Sequence, residues 1–285
     1  MKLLYPLAKR FIAGQDFQTA QRNIDQLINS GYKVSIDYIG ENSKTIKDCN
    51  NAFLQYIKII KSYKGKGVDI SIKPSQLGAR IHPLISRTLL SRIAEVAKES
   101  GATIRLDMED SSVTSLTINQ AIFLNKQYGN VGVAIQANLL RTDKDLEQLI
   151  KNKVSIRLVK GAYKEDKKIS YQSDFSIESS FFNIAANLYK DRANKPAIAT
   201  HDESLLEDIK ELIPNPNYYD YEFLYGIRRD LQREMKNEGY RVRVYVPFGE
   251  NWLPYTLRRL KEWKNLKFVF FNMVKELFRS NLHRE

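Results

Sequence analysis

Eight short runs rich in β-branched and aromatic residues alternate with longer amphipathic stretches from about residue 33 to residue 263, and this alternation leaves the chain few folds to adopt. The runs are Lys33–Tyr38, Val68–Ile72, Thr103–Met108, Val131–Gln136, Val154–Val159, Ala197–Thr200, Tyr219–Tyr225 and Arg241–Val246. Apolar residues at helical spacing occupy intervals such as Ile46–Tyr63, Leu84–Glu99, Ile118–Tyr128, Ile177–Lys190 and Ile227–Asn237. A helix after each strand carries the chain back to begin the next strand in the same direction. Repeated eight times, this predicts an α/β architecture: a closed (β/α)8 barrel rather than an open doubly wound sheet. An extra helix is expected before the first strand, at Phe17–Asn29, and another after the eighth helix, at Phe268–Ser280. The 285 residues suit one barrel of roughly 250. Without a linker or low-complexity segment, residues 1–285 are expected to form a single domain.

Composition removes several classes of function. One cysteine, Cys49, precludes an internal disulfide, and His82, His201 and His283 are the only imidazoles, so a Cys/His metal cluster is excluded and a reducing compartment is expected. No apolar run nears the roughly 18 residues of a membrane-spanning helix. The start MKLLYPLAKRF lacks the apolar core and cleavage site of a signal peptide, which points to the cytoplasm. A formal charge of +12 favours anionic partners such as phosphates, acidic lipid headgroups or nucleic acid. Because the basic residues are dispersed among acidic ones, no nucleic-acid partner is expected. Gly65 and Gly67 are followed by Ile70 where a dinucleotide fingerprint needs its third glycine, and neither a P-loop nor a G-x-S-x-G elbow occurs.

Barrel enzymes place their chemistry where the strands end, and here those ends are polar. Lys73 follows VDISI, Asp107 ends the run in ATIRLDMED, Gln136 ends VGVAI, Arg157 follows VSI, Thr200-His201 follow AIA, and RVRV leads to Tyr245. Taken singly, each is explained by a strand leaving the core, and His201 equally by a structural role. Taken together they describe one polar rim, in which a lysine and an aspartate can pair and remain charged. In NWLPYTLRRLKEW, Tyr255, Arg258, Arg259 and Glu262 stand at i, i+3, i+4 and i+7 on one helical face, with Pro254 in the first turn of a helix starting near Trp252. Two adjacent guanidiniums there make either a carboxylate or phosphate clamp, or a solvated face with an Arg–Glu pair. Spacing alone leaves both readings open.

The ordered motifs RLVKGAY (Arg157–Tyr163), ATH (Ala199–His201), LYG (Leu224–Gly226), RVYVPFG (Arg243–Gly249) and PYTLRRL (Pro254–Leu260), preceded by VSIDYIGEN, ISIKPSQLG, LDMED and VAIQANL, resemble those of proline dehydrogenases. The likeness runs from about Asp37 to the C-terminal helix and is to the monofunctional bacterial form. It implies a distorted (β/α)8 barrel in which FAD oxidises L-proline to Δ1-pyrroline-5-carboxylate by hydride transfer to flavin N5, the first step of proline catabolism to glutamate. A membrane quinone would accept the electrons, at the inner face of the cell membrane. A separate pyrroline-5-carboxylate dehydrogenase would be a transient partner.

Carried over by motif, Lys73, Arg258 and Arg259 would bind the proline carboxylate, and Leu224, Tyr245 and Tyr255 would enclose its ring. Asp107 would fix Tyr245 and Lys73, and Arg157 would contact the flavin near N5; these two form the implied catalytic pair. Met108, Gln136, Arg157, Lys160, Gly161, Ala162, Thr200, His201 and Glu262 would hold the cofactor. The chain departs from the family pattern at DYEF (Asp220–Phe223), where an EFQM-like stretch is commoner, at Lys164 after KGAY, and at Asp202 after ATH. Two rival flavoenzymes share such a barrel. A hydroxyproline dehydrogenase would be expected to carry a smaller residue than Tyr245, and the paired arginines favour an amino-acid carboxylate over the pteridine of a folate-reducing flavoprotein. A basic barrel that binds lipid or nucleic acid without chemistry is the remaining alternative.

Overall fold

The computed structural model describes residues 8–213 and 215–262, and side chains as far as residue 257. Helix α1 (Phe17–Asn29) precedes β1 (Lys33–Tyr38). There follow α2 (Ile46–Ser62), β2 (Asp69–Ile72), a 3-10 turn (Pro74–Leu77), α3 (Pro83–Glu99), β3 (Thr103–Leu106), α4 (Ser111–Tyr128), β4 (Val131–Gln136) and α5 (Thr142–Lys151). The second half comprises β5 (Ser155–Val159), α6 (Asp174–Lys190), β6 (Ala197–Ala199), α7 (Glu203–Leu212), β7 (Asp220–Leu224), α8 (Arg229–Asn237), β8 (Arg241–Phe248) and α9 (Trp252–Glu262). The strands pair in sequence order, all parallel, and β8 returns to β1 to close the barrel.

The predicted order of elements is present, with shifted boundaries. Strand β8 runs on to Phe248, because Tyr38 pairs with Phe248 and Asp37 with Pro247 across β1. Helix α4 begins at Ser111, a turn and more before the predicted Ile118: Asp110 accepts from the Ser112 amide, and Glu165 accepts from both the amide and hydroxyl of Ser111. Those caps are read poorly from a serine-rich first turn with little apolar period. Helix α8 begins after Arg228, whose left-handed backbone (φ 47°) breaks the pattern that predicted a start at Ile227. The helix expected at Phe268–Ser280 lies outside the described residues.

Strand residues alternate between two very different environments. Ile36, Ile70, Ile104, Val133, Ile156, Ile198 and Val244 are inaccessible members of the apolar core that includes helix residues such as Tyr56, Leu90, Ile93, Leu124 and Leu188. The alternate positions face the lumen, where barrels of this kind ordinarily stack branched apolar side chains. Here most are charged or hydroxylic, and those on β6, Ala197 and Ala199, are small. Arg157 on β5 donates to Ser35 on β1 at 3.2 Å and Ser71 on β2 at 2.9 Å, contacts that must cross the lumen. Small residues on β4 make room for these arginines: a Cβ at Gly132 would fall 3.1 Å from Arg105 Nη1 and 2.7 Å from the Ser155 carbonyl.

The lumen charges are matched. Asp69 accepts from Arg105 Nε at 3.0 Å, Thr103 Oγ1 at 2.6 Å and Ser35 Oγ at 3.2 Å. Burial pushes its carboxyl up, but Arg105, Arg243 and Arg157 outweigh this and hold it well below the usual carboxylate range. Nearer the start of the strands, Asp220 pairs with Arg243 at 2.7 Å and Lys33 at 3.0 Å.

Candidate active site

At the C-terminal end of the barrel the lumen opens into a cavity of about 510 Å³. Its lining includes Lys73, Asp107, Met108, Gln136, Arg157, Lys160, Gly161, Ala162, Thr200, His201, Leu224, Tyr245 and Tyr255. Residues predicted from separate strand ends thus converge on one space. Arg258, Arg259 and Glu262, also predicted there, have side chains outside the described residues.

Asp107 is the hub of the floor. Its Oδ2 accepts from the Tyr245 hydroxyl at 2.6 Å and lies 3.5 Å from Lys73 Nζ; its Oδ1 accepts from Arg157 Nη1 at 2.7 Å. Lys73 donates to Asp37 Oδ1 at 3.0 Å. The lysine leaves β2 just before the 3-10 turn, whose Ser75 amide donates to Glu109 Oε2 at 2.9 Å, while Gln76 Oε1 accepts from the Tyr56 hydroxyl at 2.6 Å. Anchoring the turn in this way fixes where Lys73 emerges.

Electrostatics decide the protonation of these groups. Burial alone would lower the Lys73 pKa, but Asp37 and Asp107 reverse the effect and hold it above that of an ordinary lysine. Burial pushes the Tyr245 phenol far up, and Asp107 and Asp37 add to the shift, so it remains a neutral donor. Asp37 is pushed up by burial, opposed by Lys73 and reinforced by Asp107.

Arg157 is more fully committed than a free cation. Its Nε donates to Glu222 Oε2 at 2.7 Å, Nη1 to Asp107, and Nη2 to Ser71 and Ser35. A guanidinium has five N–H groups, so among the described residues one, on Nη1, remains for a ligand. The guanidinium also lies 5.2 Å from the Tyr245 ring centroid, a cation–π contact that stiffens both.

The upper wall is held from several elements. Gln136 donates to the Glu109 carbonyl at 3.1 Å and accepts from the Ala162 amide at 3.4 Å. Lys160 bridges Glu178 at 2.8 Å and Asp202 at 2.7 Å, so its charge is already shared. Burial opposes the charged form of each partner, yet their mutual hydrogen bond prevails, raising Lys160 and lowering Asp202. His201 Nε2 accepts from the Leu224 amide at 2.9 Å and its ring packs edge-on to Phe223. That bond puts the proton of a neutral His201 on Nδ1. Gly161 (φ 119°) is required: a Cβ would stand 2.2 Å from Asn138 Oδ1.

Sequence reasoning passed over Asp37, Asn138 and Glu222. For Glu222 a signal existed, since it lies two residues before Leu224 and so shares its strand face.

A closed (β/α)8 barrel with a charge-lined cavity at its C-terminal strand ends is the frame of an enzyme acting on a small polar molecule. The family model described as proline dehydrogenase matches residues 20–269. Proline dehydrogenase 1 of Bacillus subtilis subsp. natto is 32% identical over 276 residues, 94% of this chain and 91% of the relative. Proline dehydrogenase of Deinococcus radiodurans is 33% identical over 284 residues, 95% of this chain and 91% of the relative. Among solved structures, proline utilization A from Bdellovibrio bacteriovorus, inactivated by N-propargylglycine, matches with a TM-score of 0.82 at 21% identity. It is alike in fold over 91% of this chain, which spans 33% of that longer protein. The chain belongs to the proline dehydrogenase family of oxidoreductases.

Proposed function

We propose that this chain oxidises L-proline to Δ1-pyrroline-5-carboxylate using FAD held in the cavity, with a membrane quinone as final electron acceptor. The observation that carries the reading is the floor constellation of Lys73, Asp107, Tyr245 and Arg157, which presents a fixed cation and a neutral phenol to one small space. FAD suits the residues present. Met108, Ala134, Val159 and Leu224 offer apolar surface for a flat ring, while Gln136, Thr200, His201 and the remaining Arg157 N–H offer polar groups for its edge. Beside Gly161, Asn138 Oδ1 is buried without a hydrogen-bond partner, an acceptor in want of a donor.

In this reading Met108, Gln136, Arg157, Lys160, Gly161, Ala162, Thr200, His201 and Glu262 hold the cofactor. Bound FAD supplies the two-electron acceptor for the carbon–nitrogen bond of proline. Lys73, with Arg258 and Arg259, grips the substrate carboxylate, and Leu224, Tyr245 and Tyr255 enclose the ring. Asp107 keeps Tyr245 and Lys73 in register, so orientation is set before substrate arrives. A cytoplasmic protein visiting the inner face of the membrane fits the net charge of +12. No helix among the described residues is long and apolar enough to cross a membrane.

The test is anaerobic addition of L-proline, and separately trans-4-hydroxy-L-proline, to the purified protein. Loss of the oxidised flavin band with proline alone is the expected result. A colourless protein that takes up no added FAD would refute the reading. Sedimentation with anionic, quinone-bearing vesicles at low salt tests the acceptor surface.

A further inference from the structure

Glu222 projects from the lumen face of β7 and lines the cavity. It is only 2% exposed, so its carboxylate is not hydrated. One oxygen, Oε2, is taken by Arg157 Nε at 2.7 Å; the other, Oε1, is buried and has no hydrogen-bond partner. A buried charged acceptor left unmatched is costly, and such groups commonly mark a place where something else supplies the donor.

Direct ion pairing at Glu222 is also thinner than at its neighbours, although Arg243 acts on it from farther off. Arg157 is shared among Glu222 and Asp107, each at 2.7 Å, and Asp69 at 3.5 Å. Asp107 also has Lys73 and Asp69 also has Arg105. Among the described residues Glu222 ion-pairs with Arg157 alone.

We propose that Glu222 tunes the cofactor: anchored to Arg157 through Oε2, it offers Oε1 to an N–H or O–H of the bound flavin, and its negative charge makes that flavin harder to reduce. The inference rests on the flavin reading above. Reduction adds negative charge to the ring system, and a carboxylate in a dry cavity opposes this far more strongly than one in water. Glutamine would accept the same donor without the opposing charge. The two contributions are therefore separable.

Glu222→Gln and Glu222→Met are compared with the wild type for FAD dissociation constant and for flavin midpoint potential against a redox dye. Glu222→Gln should keep FAD affinity within about threefold while raising the reduced-to-oxidised flavin ratio at fixed dye poise about tenfold. Glu222→Met, which lacks the acceptor, should weaken FAD binding about tenfold. An unchanged midpoint in the glutamine variant, or unchanged affinity in the methionine variant, overturns the inference. If the methionine variant does not fold, the glutamine midpoint decides alone. A wild type that binds no FAD brings down the flavin reading and this inference with it; a flavin-bound wild type matched by both variants brings down only the role of Glu222.

Discussion

Lys73 stands between two carboxylates, Asp37 at 3.0 Å and Asp107 at 3.5 Å. Removing the lysine leaves Asp37 and Asp107 buried around a missing cation, so Lys73→Met should cost about 3–5 kcal/mol, read from denaturant unfolding. Because the folded pKa of Lys73 is raised above the ordinary 10.5, its contribution is complete below that pH and is lost as pH rises through the higher folded value. The gap between wild type and variant should hold steady from neutral pH to about 10 and then narrow. Arg258→Met and Arg259→Met belong to the same proposed clamp. Each should raise KM for proline steeply with FAD binding retained, and unchanged KM in both would count against the clamp. Lys73 was legible in the sequence because it follows an apolar run, and Asp107 and Tyr245 because each stands at the end of one but for a single residue. Asp37 holds the same place in its run and was passed over, as was Glu222 in the middle of its own, because a polar residue within a run reads as the ordinary solvent-facing half of a strand.

Connections between elements carry their own signature. Gly226 follows β7 with φ 77°, and a Cβ there would stand 1.7 Å from the carbonyl oxygen of Arg10. Gly226→Ala should therefore lose about 1–3 kcal/mol from backbone strain alone, with more from displacing the segment that precedes α1. A melting temperature within a degree of wild type would contradict that packing. At the start of α2, Thr45 and Asp48 form a reciprocal capping box. Thr45→Ala should cost about 1 kcal/mol in thermal unfolding and leave proline kinetics untouched. In the sequence that box is a T-x-x-D spacing just before a periodic stretch. The early start of α4 was not legible there, because one of its caps, Glu165, comes from a loop 54 residues away along the chain.

At the scale of the molecule, strand order and closure were readable from eight repeats, since only the helices' return path was needed to infer them. The polar lumen was not, because single-chain periodicity reports which residues alternate and not what the inner set meets. Asp69 tests that lumen. Its folded pKa lies below the ordinary 3.8, so its stabilisation is present above that pH and is lost as pH falls through the lower folded value. Asp69→Asn should be less stable by about 3–5 kcal/mol at neutral pH, with the two unfolding curves converging in strong acid.

The same lumen constrains how the barrel comes into being. Arg157 reaches Ser35 across 122 residues, Lys33 reaches Asp220 across 187, and Arg243 reaches the Val34 carbonyl across 209. A half-assembled sheet would hold guanidiniums and carboxylates out of water with their partners still unborn. Apolar helices can gather early around separate strands, but the ring of charges is completed only when the last strand meets the first. Closure should be a late, slow and all-or-none event, and neither half of the chain made alone should acquire the packed interior that the whole attains.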